Sequence, residues 1–317
     1  MRLAPHVPRN DDTVHLDSLP PTAQSDRMIA RPTTSAPTAH PVLAALLASP
    51  VPAVMGILNV TPDSFSDGGQ FDAPERALAQ ARRMIAEGAG IIDIGAESTR
   101  PYGSRPVTAD EEWARLVPVL ADVVALGTPV SIDSMKASVV AKALAAGVAI
   151  ANDIWGLQRD PDMARVIAEH SAPVVVMHNR DDVDGSIDII DDIKSFFTRS
   201  LEIAASAGIP AGHIVLDPGI GFGKTPEQSM IALARFDELT GFGLPVLIAA
   251  SRKKFISTVV PSEPQQRIGG SLAAHLLAVR HGAKIVRAHD VAETVQALRV
   301  TAAIEDKRCA PAQPTRN

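Results

Sequence analysis

From Ala53 onward the chain alternates between short apolar runs rich in β-branched residues and longer segments whose apolar positions recur every three or four residues. The apolar runs fall at 53–58, 91–94, 129–132, 148–151, 173–177, 214–216, 245–250 and 285–288. Runs this short, apolar on both faces, are the pattern of strands buried in a parallel sheet. The segments between them, 75–87, 109–126, 136–146, 161–169, 187–207, 226–239, 265–281 and 291–304, predict amphipathic helices. Gly88, Gly127, Gly147, Gly208 and Gly282 stand just past helix ends, where a left-handed cap is needed. Eight strand–helix units in a row predict an α/β protein with a single closed (β/α)8 TIM barrel over 51–306, in preference to an open doubly wound sheet.

The first fifty residues break this rhythm. Pro5, Pro8, Pro20, Pro21, Pro32, Pro37, Pro41 and Pro50 interrupt a Thr-, Ser- and Ala-containing stretch. Residues 1–50 therefore read as a low-complexity, largely disordered extension in which only 42–48 can form a short helix, and 307–317 as a flexible tail.

Composition narrows the reading. The length of 317 residues suits one barrel, and aromatics at 3 % leave the core to Val, Ile, Leu and Ala. A net charge of −6 gives no reason to expect nucleic acid or an anionic membrane as partner. Cys309 is the single cysteine, which excludes an intramolecular disulfide and a cysteine metal site. No apolar run approaches the roughly 18 residues of a membrane span, and the amino terminus lacks a basic-then-apolar signal. The expectation is a cytoplasmic protein.

The uncommon polar residues gather where the strands end. Asn59 ends the first strand; Asp93 lies in the second, followed by Glu97, Ser98, Thr99 and Arg100. Asp133, Asn152 and Asp153, Met177 and His178, and Asp217 end the next four in turn. Ser251, Arg252 and Lys253 follow the seventh strand, and Arg287 and His289 close the eighth. In (β/α)8 barrels the carboxyl ends of the strands carry the active site. Asp133, Asn152 and Asp217 are acceptors placed to bind a flat heterocycle with a guanidine-like edge, since a carboxylate accepts two parallel N–H bonds. Met177, Ile154 and Phe222 are apolar groups able to sandwich such a ring. Arg287 and His289, two residues apart, form a cationic side of the rim suited to phosphate. Asn59 and Thr99 offer neutral oxygens to a hard cation such as Mg²⁺.

Eight successive motifs then carry a resemblance: GILNVTPDSFSDGG (56–69), ESTRP (97–101), SIDS (131–134), NDI (152–154), MH (177–178), DPGIGFGK (217–224), SRK (251–253) and RAHD (287–290). Their order and spacing over about 53–305 resemble the dihydropteroate synthase family of pterin-binding barrels. The resemblance implies condensation of 6-hydroxymethyl-7,8-dihydropterin diphosphate with p-aminobenzoate to 7,8-dihydropteroate and diphosphate, a transferase step of folate biosynthesis. It implies Asp133, Asn152, Ile154, Met177, Asp217, Phe222 and Lys253 at the pterin, and Asn59, Thr99, Arg287 and His289 at the diphosphate. Thr99, Arg100, Phe222, Ser251 and Lys253 fall to p-aminobenzoate, Asn59 to Mg²⁺, and the catalytic roles to Asp217, Lys253, Arg287 and His289. A homodimer and inhibition by sulfonamides are further implications.

Two positions depart from the family pattern. Tyr102-Gly103-Ser104-Arg105-Pro106 replaces the usual Gly-Ala after ESTRP, and Ala249 stands where a small Gly is common. Two other readings remain open: a pterin-binding methyltransferase-like barrel, and a catalytically silent pterin-binding paralogue acting as a structural partner. Neither requires the ESTRP, SRK and RAHD motifs together.

Overall fold

The computed structural model describes residues 39–61, 73–97 and 107–307. Eight strands lie parallel: β1 Ala53–Asn59, β2 Ile91–Gly95, β3 Val130–Asp133, β4 Ile150–Asp153, β5 Val174–Met177, β6 Ile214–Asp217, β7 Leu247–Ile248 and β8 Ile285–Ala288. They are hydrogen-bonded in the order β6-β5-β4-β3-β2-β1-β8-β7. A parallel bridge between Leu216 and Val246, with Leu216 N donating to Pro245 O at 2.9 Å, joins β6 to β7 and completes the ring. The expected (β/α)8 TIM barrel is therefore the fold.

Helices separate the strands: α1 Pro41–Leu47 precedes β1, followed by α2 Ala73–Ala86, α3 Ala109–Val124, α4 Ala137–Ala145, α5 Met163–Glu169 and α6 Ile189–Ser206. α7 Pro226–Ala234, α8 Lys254–Val259, α9 Ile268–Arg280 and α10 Val291–Asp306 complete the set. The five cap glycines foreseen all have positive φ, from 81° at Gly127 to 107° at Gly282. Among the described residues no helix is long and apolar enough to cross a membrane.

Two apolar clusters alternate residue by residue along the strands. Val54, Leu58, Ile92, Ile94, Val130, Ile132, Val174, Val176, Ile214, Leu216, Ile248 and Val286 belong to the large cluster that includes the helices. Met55, Ile91, Ile150, Val175, Val215, Leu247, Ala249 and Ile285 form a second cluster, which fills the lumen. Leu43 of α1, 1 % exposed, joins this inner cluster, with Val42 and Leu46 packed against it. α1 thus plugs the end of the barrel opposite the site, so the folded unit starts ahead of residue 51. Strand periodicity places Asn59, Asp93, Asn152, Met177, Asp217 and Arg287 on the same inward parity as the lumen residues, at the carboxyl end.

The structure shifts several expected boundaries. β3 and β4 run one or two residues later than their apolar runs, to Asp133 and Asp153, because the polar strand ends still make ladder pairs (Asp133 with Asn152). β7 shrinks to Leu247–Ile248, and the expected helix over 226–239 divides into α7 and a 3-10 turn at Phe236–Phe242. α8 was not foreseen: its run Lys-Phe-Ile-Ser-Thr-Val is too short and too β-branched to show a helical period.

Candidate active site

The centre of the mouth is a buried ionic layer. Arg287 Nε donates to Asp93 Oδ2 and Nη2 to Asp133 Oδ2, both at 2.6 Å. Asn152 Nδ2 donates to the same Asp93 carboxylate, at 3.1 and 3.3 Å. Asp93 is 1 % exposed, Asn152 4 % and Asp133 8 %. Burial opposes the Arg287 charge, but Asp93 and Asp133 outweigh it and raise its pKa. Burial pushes the Asp133 carboxyl up to about 7; Arg287 opposes that rise, while Asp93 and Glu112 add to it. Asp133 Oδ1 is buried with no hydrogen-bond partner among the described residues. Gly95 makes this packing possible, since a Cβ there would stand 3.2 Å from the Cβ of Asp133.

Beside this layer stand Asp217 and Lys253. Asp217, at the end of β6 opposite Met177, accepts Gly219 N on Oδ1 at 2.8 Å. Burial raises its pKa, against that amide and the charges of Lys253 and Arg287. Lys253 is lowered to about 8 by burial and then by Arg287, with Asp217 and Asp133 opposing. Its ammonium lies 4.2 Å from the centre of the Phe222 ring. Met177, Ile154 and Phe222 form an apolar cluster of their own, separate from both cores, with Met135 and Trp155 packed against it. The three apolar residues expected at the ring are therefore brought together, with Met177 in register with Asp217.

The third part of the rim is polar and neutral. Ser251 Oγ, 4 % exposed, accepts His289 N at 3.1 Å and lies 3.0 Å from His289 Nδ1, tying the ends of β7 and β8 together. Burial first, then the charges of Arg287, Arg252 and Lys253, lower His289 to about 3, so its ring is neutral. Asn59 ends β1, in register with Gly95. Thr99 and Arg100 lie outside the described residues.

One expectation changes. Arg287 is expected on a cationic side apart from the acids; the structure sets it among them, because a guanidinium buried on a strand's inward face needs carboxylates to offset its desolvation. Asp290, the residue before α10, makes no side-chain cap and instead accepts Arg252 Nε at 3.0 Å and Arg252 Nη2. Arg252 has φ +57°, and its N–H donates to Ser271 Oγ at 2.8 Å, which turns Lys253 onward into the mouth. Sequence reasoning noted Asp93 but gave it no role. Its inward parity, two residues above the lumen residue Ile91, was the signal that marked it.

Lys136 supports the same rim from outside. Its ammonium bonds Glu97 and, at 2.6 Å, the fully buried Glu112, while Glu97 Oε1 accepts Val107 N at 3.1 Å.

Comparison with known proteins matches this geometry. A family model described as "Pterin binding enzyme" covers residues 55–289. The dihydropteroate synthase of Bacillus subtilis is 46 % identical over 255 residues, covering 80 % of this chain and 89 % of that protein. The chain belongs to the dihydropteroate synthase family of pterin-binding enzymes. A solved dihydropteroate synthase from Clostridium difficile, in the presence of pteroic acid, is 47 % identical with TM-score 0.78, covering 80 % of this chain and 97 % of that one. The Xanthomonas albilineans enzyme in complex with 7,8-dihydropteroate is 40 % identical with TM-score 0.75, covering 83 % and 95 %. Membership in the family makes this chain a transferase of folate biosynthesis, and the ionic layer lies wholly within the matched segment.

The pairing of Asp93 with Arg287 carries a stability consequence. Asp93→Asn should lower stability by about 3 kcal/mol, the low end for a broken buried pair, because Asp133 still holds the guanidinium. Urea unfolding measures it, and an unchanged midpoint would show that the pair adds nothing to stability.

Proposed function

We propose that this barrel mouth binds 6-hydroxymethyl-7,8-dihydropterin diphosphate and p-aminobenzoate and joins them, and that the residues above divide the work as follows. The observation carrying this reading is the buried Asp133 Oδ1, which has no hydrogen-bond partner among the described residues. A buried carboxylate oxygen without a partner is costly, and a ligand with a paired N–H edge removes that cost. The pterin edge supplies such donors to Asp217 and Asp133, with Asn152 held by Asp93 to complete the set. Met177, Ile154 and Phe222 cover the ring faces.

In the reaction the bond from the pterin methylene carbon to the diphosphate oxygen breaks, and its electron pair leaves with the diphosphate. Positive charge on the methylene carbon spreads into the pterin, where the carboxylates stabilise it. The arylamine nitrogen lone pair forms the new carbon–nitrogen bond, and the proton the amine then loses passes to water. Lys253 and Arg287 supply positive charge to the departing diphosphate. His289 serves as a neutral N–H donor, with Ser251 setting its orientation. Mg²⁺ fits this site only as an ion carried with the diphosphate: among the described residues no group of three His, Cys, Asp or Glu side chains forms a metal cage, and the one assigned donor, Asn59, suits an ion that keeps its waters. When bound, Mg²⁺ neutralises diphosphate charge.

The resemblance also favours a homodimer, with a second copy seated on the helices carrying exposed Leu277 (41 %), Val300 (53 %) and Ile304 (63 %). Three apolar side chains left in solvent on adjacent α9 and α10 support that occupant. Light scattering on the purified chain should give twice the 33.4 kDa monomer mass, and Ile304→Glu should shift it toward monomer. A monomer at micromolar concentration would refute the dimer.

Diphosphate release should require both organic substrates and Mg²⁺ together, and sulfonamides should compete with p-aminobenzoate. Arg287→Ala and Lys253→Gln should each reduce kcat/KM by about a hundredfold or more, the order seen when a group stabilising transition-state charge is removed. Pterin binding without turnover would favour the silent paralogue.

Proton linkage offers a separate check. The Asp133 carboxyl, raised to about 7, keeps its proton in the folded chain where the unfolded chain has lost it. The Asp133 contribution to unliganded stability, read as the difference between wild type and Asp133→Asn, should therefore fall as pH rises from about 4 to 7. Pterin N–H donors favour the carboxylate, so binding at pH 6 should expel a proton and binding at pH 8 should not. Calorimetry in buffers of different ionisation enthalpy counts these protons, and equal counts at both pH values would remove Asp133 from the pterin contact.

A further inference from the structure

Lys224, the last residue of the DPGIGFGK stretch, takes no part in the chemistry above, yet it is only 6 % exposed. Its Nζ lies 2.6 Å from His178 Nδ1, and it donates to Gly219 O at 3.0 Å and Phe222 O at 3.1 Å. An ammonium has three N–H donors, and these three acceptors match them one for one. The fully buried His178 ring is lowered to about 4 by burial and by Lys224, so it is neutral. Its Nδ1 accepts from Lys224, which leaves Nε2 to donate to Asp192 Oδ2 at 2.9 Å. Asp192 also meets Arg180 Nη1 at 3.2 Å. Burial brings Lys224 itself down to about 7, with Asp217 and Asp192 opposing.

The loop that Lys224 closes lies directly against the end of β5. A Cβ at Gly219 (φ +63°) would stand 2.0 Å from His178 O, and one at Gly223 (φ +54°) 2.4 Å from Arg180 Cβ. Each peptide held by Lys224 leads to a pterin contact. Gly219 offers its carbonyl to Lys224 and its N–H to Asp217 Oδ1. Phe222 offers its carbonyl to Lys224 while its ring lies under Lys253 and in the Ile154–Met177 cluster. We propose that Lys224 is a positioning residue for the pterin half of the site: one buried ammonium, backed by His178 and Asp192, fixes the loop that aims both Asp217 and Phe222. This rests on the pterin reading of the mouth. Of the diphosphate half only Lys253 touches this loop, through the Phe222 ring; Arg287, His289 and Asn59 stand on or beside β8 and β1, away from it.

The experiment compares two probes by calorimetry at pH 6.5, 6-hydroxymethylpterin for one half and inorganic diphosphate with Mg²⁺ for the other. Lys224→Met should weaken the pterin probe about tenfold, the order expected for loss of a charge-assisted contact, while diphosphate affinity stays within about twofold. His178→Leu removes one acceptor and should weaken the pterin probe in the same direction. His178→Asn restores an acceptor oxygen near the place of Nδ1 and should recover pterin affinity. That pair decides the matter if Lys224→Met does not fold. Pterin binding unchanged in Lys224→Met and His178→Leu, equal loss of both probes, or no recovery in His178→Asn would overturn the proposal. A wild-type protein that binds diphosphate but no pterin would instead overturn the pterin reading itself.

Discussion

A guanidinium held inside the barrel mouth organises everything around it. Arg287 sits on the inward face of β8, where its buried charge needs carboxylate partners to offset desolvation, and Asp93 and Asp133 reach it from β2 and β3. Asn152 on β4 is then held by the same Asp93 carboxylate. Four strands are thus joined by side chains above their backbone ladders. The layer has a second effect: Asp93, Asp133 and Asp217 outnumber Arg287 and Lys253, and burial penalises the surplus charge. Burial raises both Asp217 and Asp133, the latter to about 7, and among the described residues Asp133 Oδ1 has no partner. That open acceptor is where the proposed ligand would bond.

Strand periodicity explains how an apolar barrel comes to carry this layer. The inward positions are apolar at mid-strand, with Met55, Ile91, Ile150, Val175, Val215 and Ile285 filling the lumen. One pleat further, the same parity delivers Asp93, Asn152, Met177, Asp217 and Arg287. The packed layer below excludes water from the floor of the site, which strengthens each electrostatic contact above it. α1 seals the far end with Leu43. A loss of packing in the lumen would therefore be felt in the pKa values of the mouth as well as in stability.

Much of this was legible in the sequence, and the reason is local. Buried parallel strands announce themselves by β-branched runs and helices by their period, and the glycine caps marked five helix ends where φ is positive. Asp133, Asn152, Asp217 and Ser251 could be placed because a polar residue ending an apolar run has one rim to occupy. What the sequence did not disclose were partnerships across the barrel. Asp93 pairs with Arg287, 194 positions away, and nothing in either neighbourhood names the other. Asp290 stands where a helix cap usually does, yet its side chain pairs with the Arg252 guanidinium, 38 positions away. Lys224 looked like the end of a loop, and only its three inward acceptors reveal it as the loop's centre.

The two ends of the site differ in how far they are prepared before any ligand arrives. Where we propose the pterin binds, the acceptors are fixed: Asp217 by Gly219, Asn152 by Asp93, Asp133 by Arg287. Where we propose the diphosphate binds, His289 is neutral, Lys253 has been lowered to about 8, and two nitrogens of Arg287 are already engaged by carboxylates. That asymmetry suits a dissociative substitution. Strong complementarity to the intact diphosphate would stabilise the ground state as much as the transition state and leave the barrier unchanged. Arg287 keeps its charge while divided between two carboxylates, so its pull on the diphosphate gains most when negative charge builds on the leaving oxygen. On the proposed assignment, fixed pterin acceptors and a shared guanidinium place the gain in binding at the moment the carbon–oxygen bond breaks.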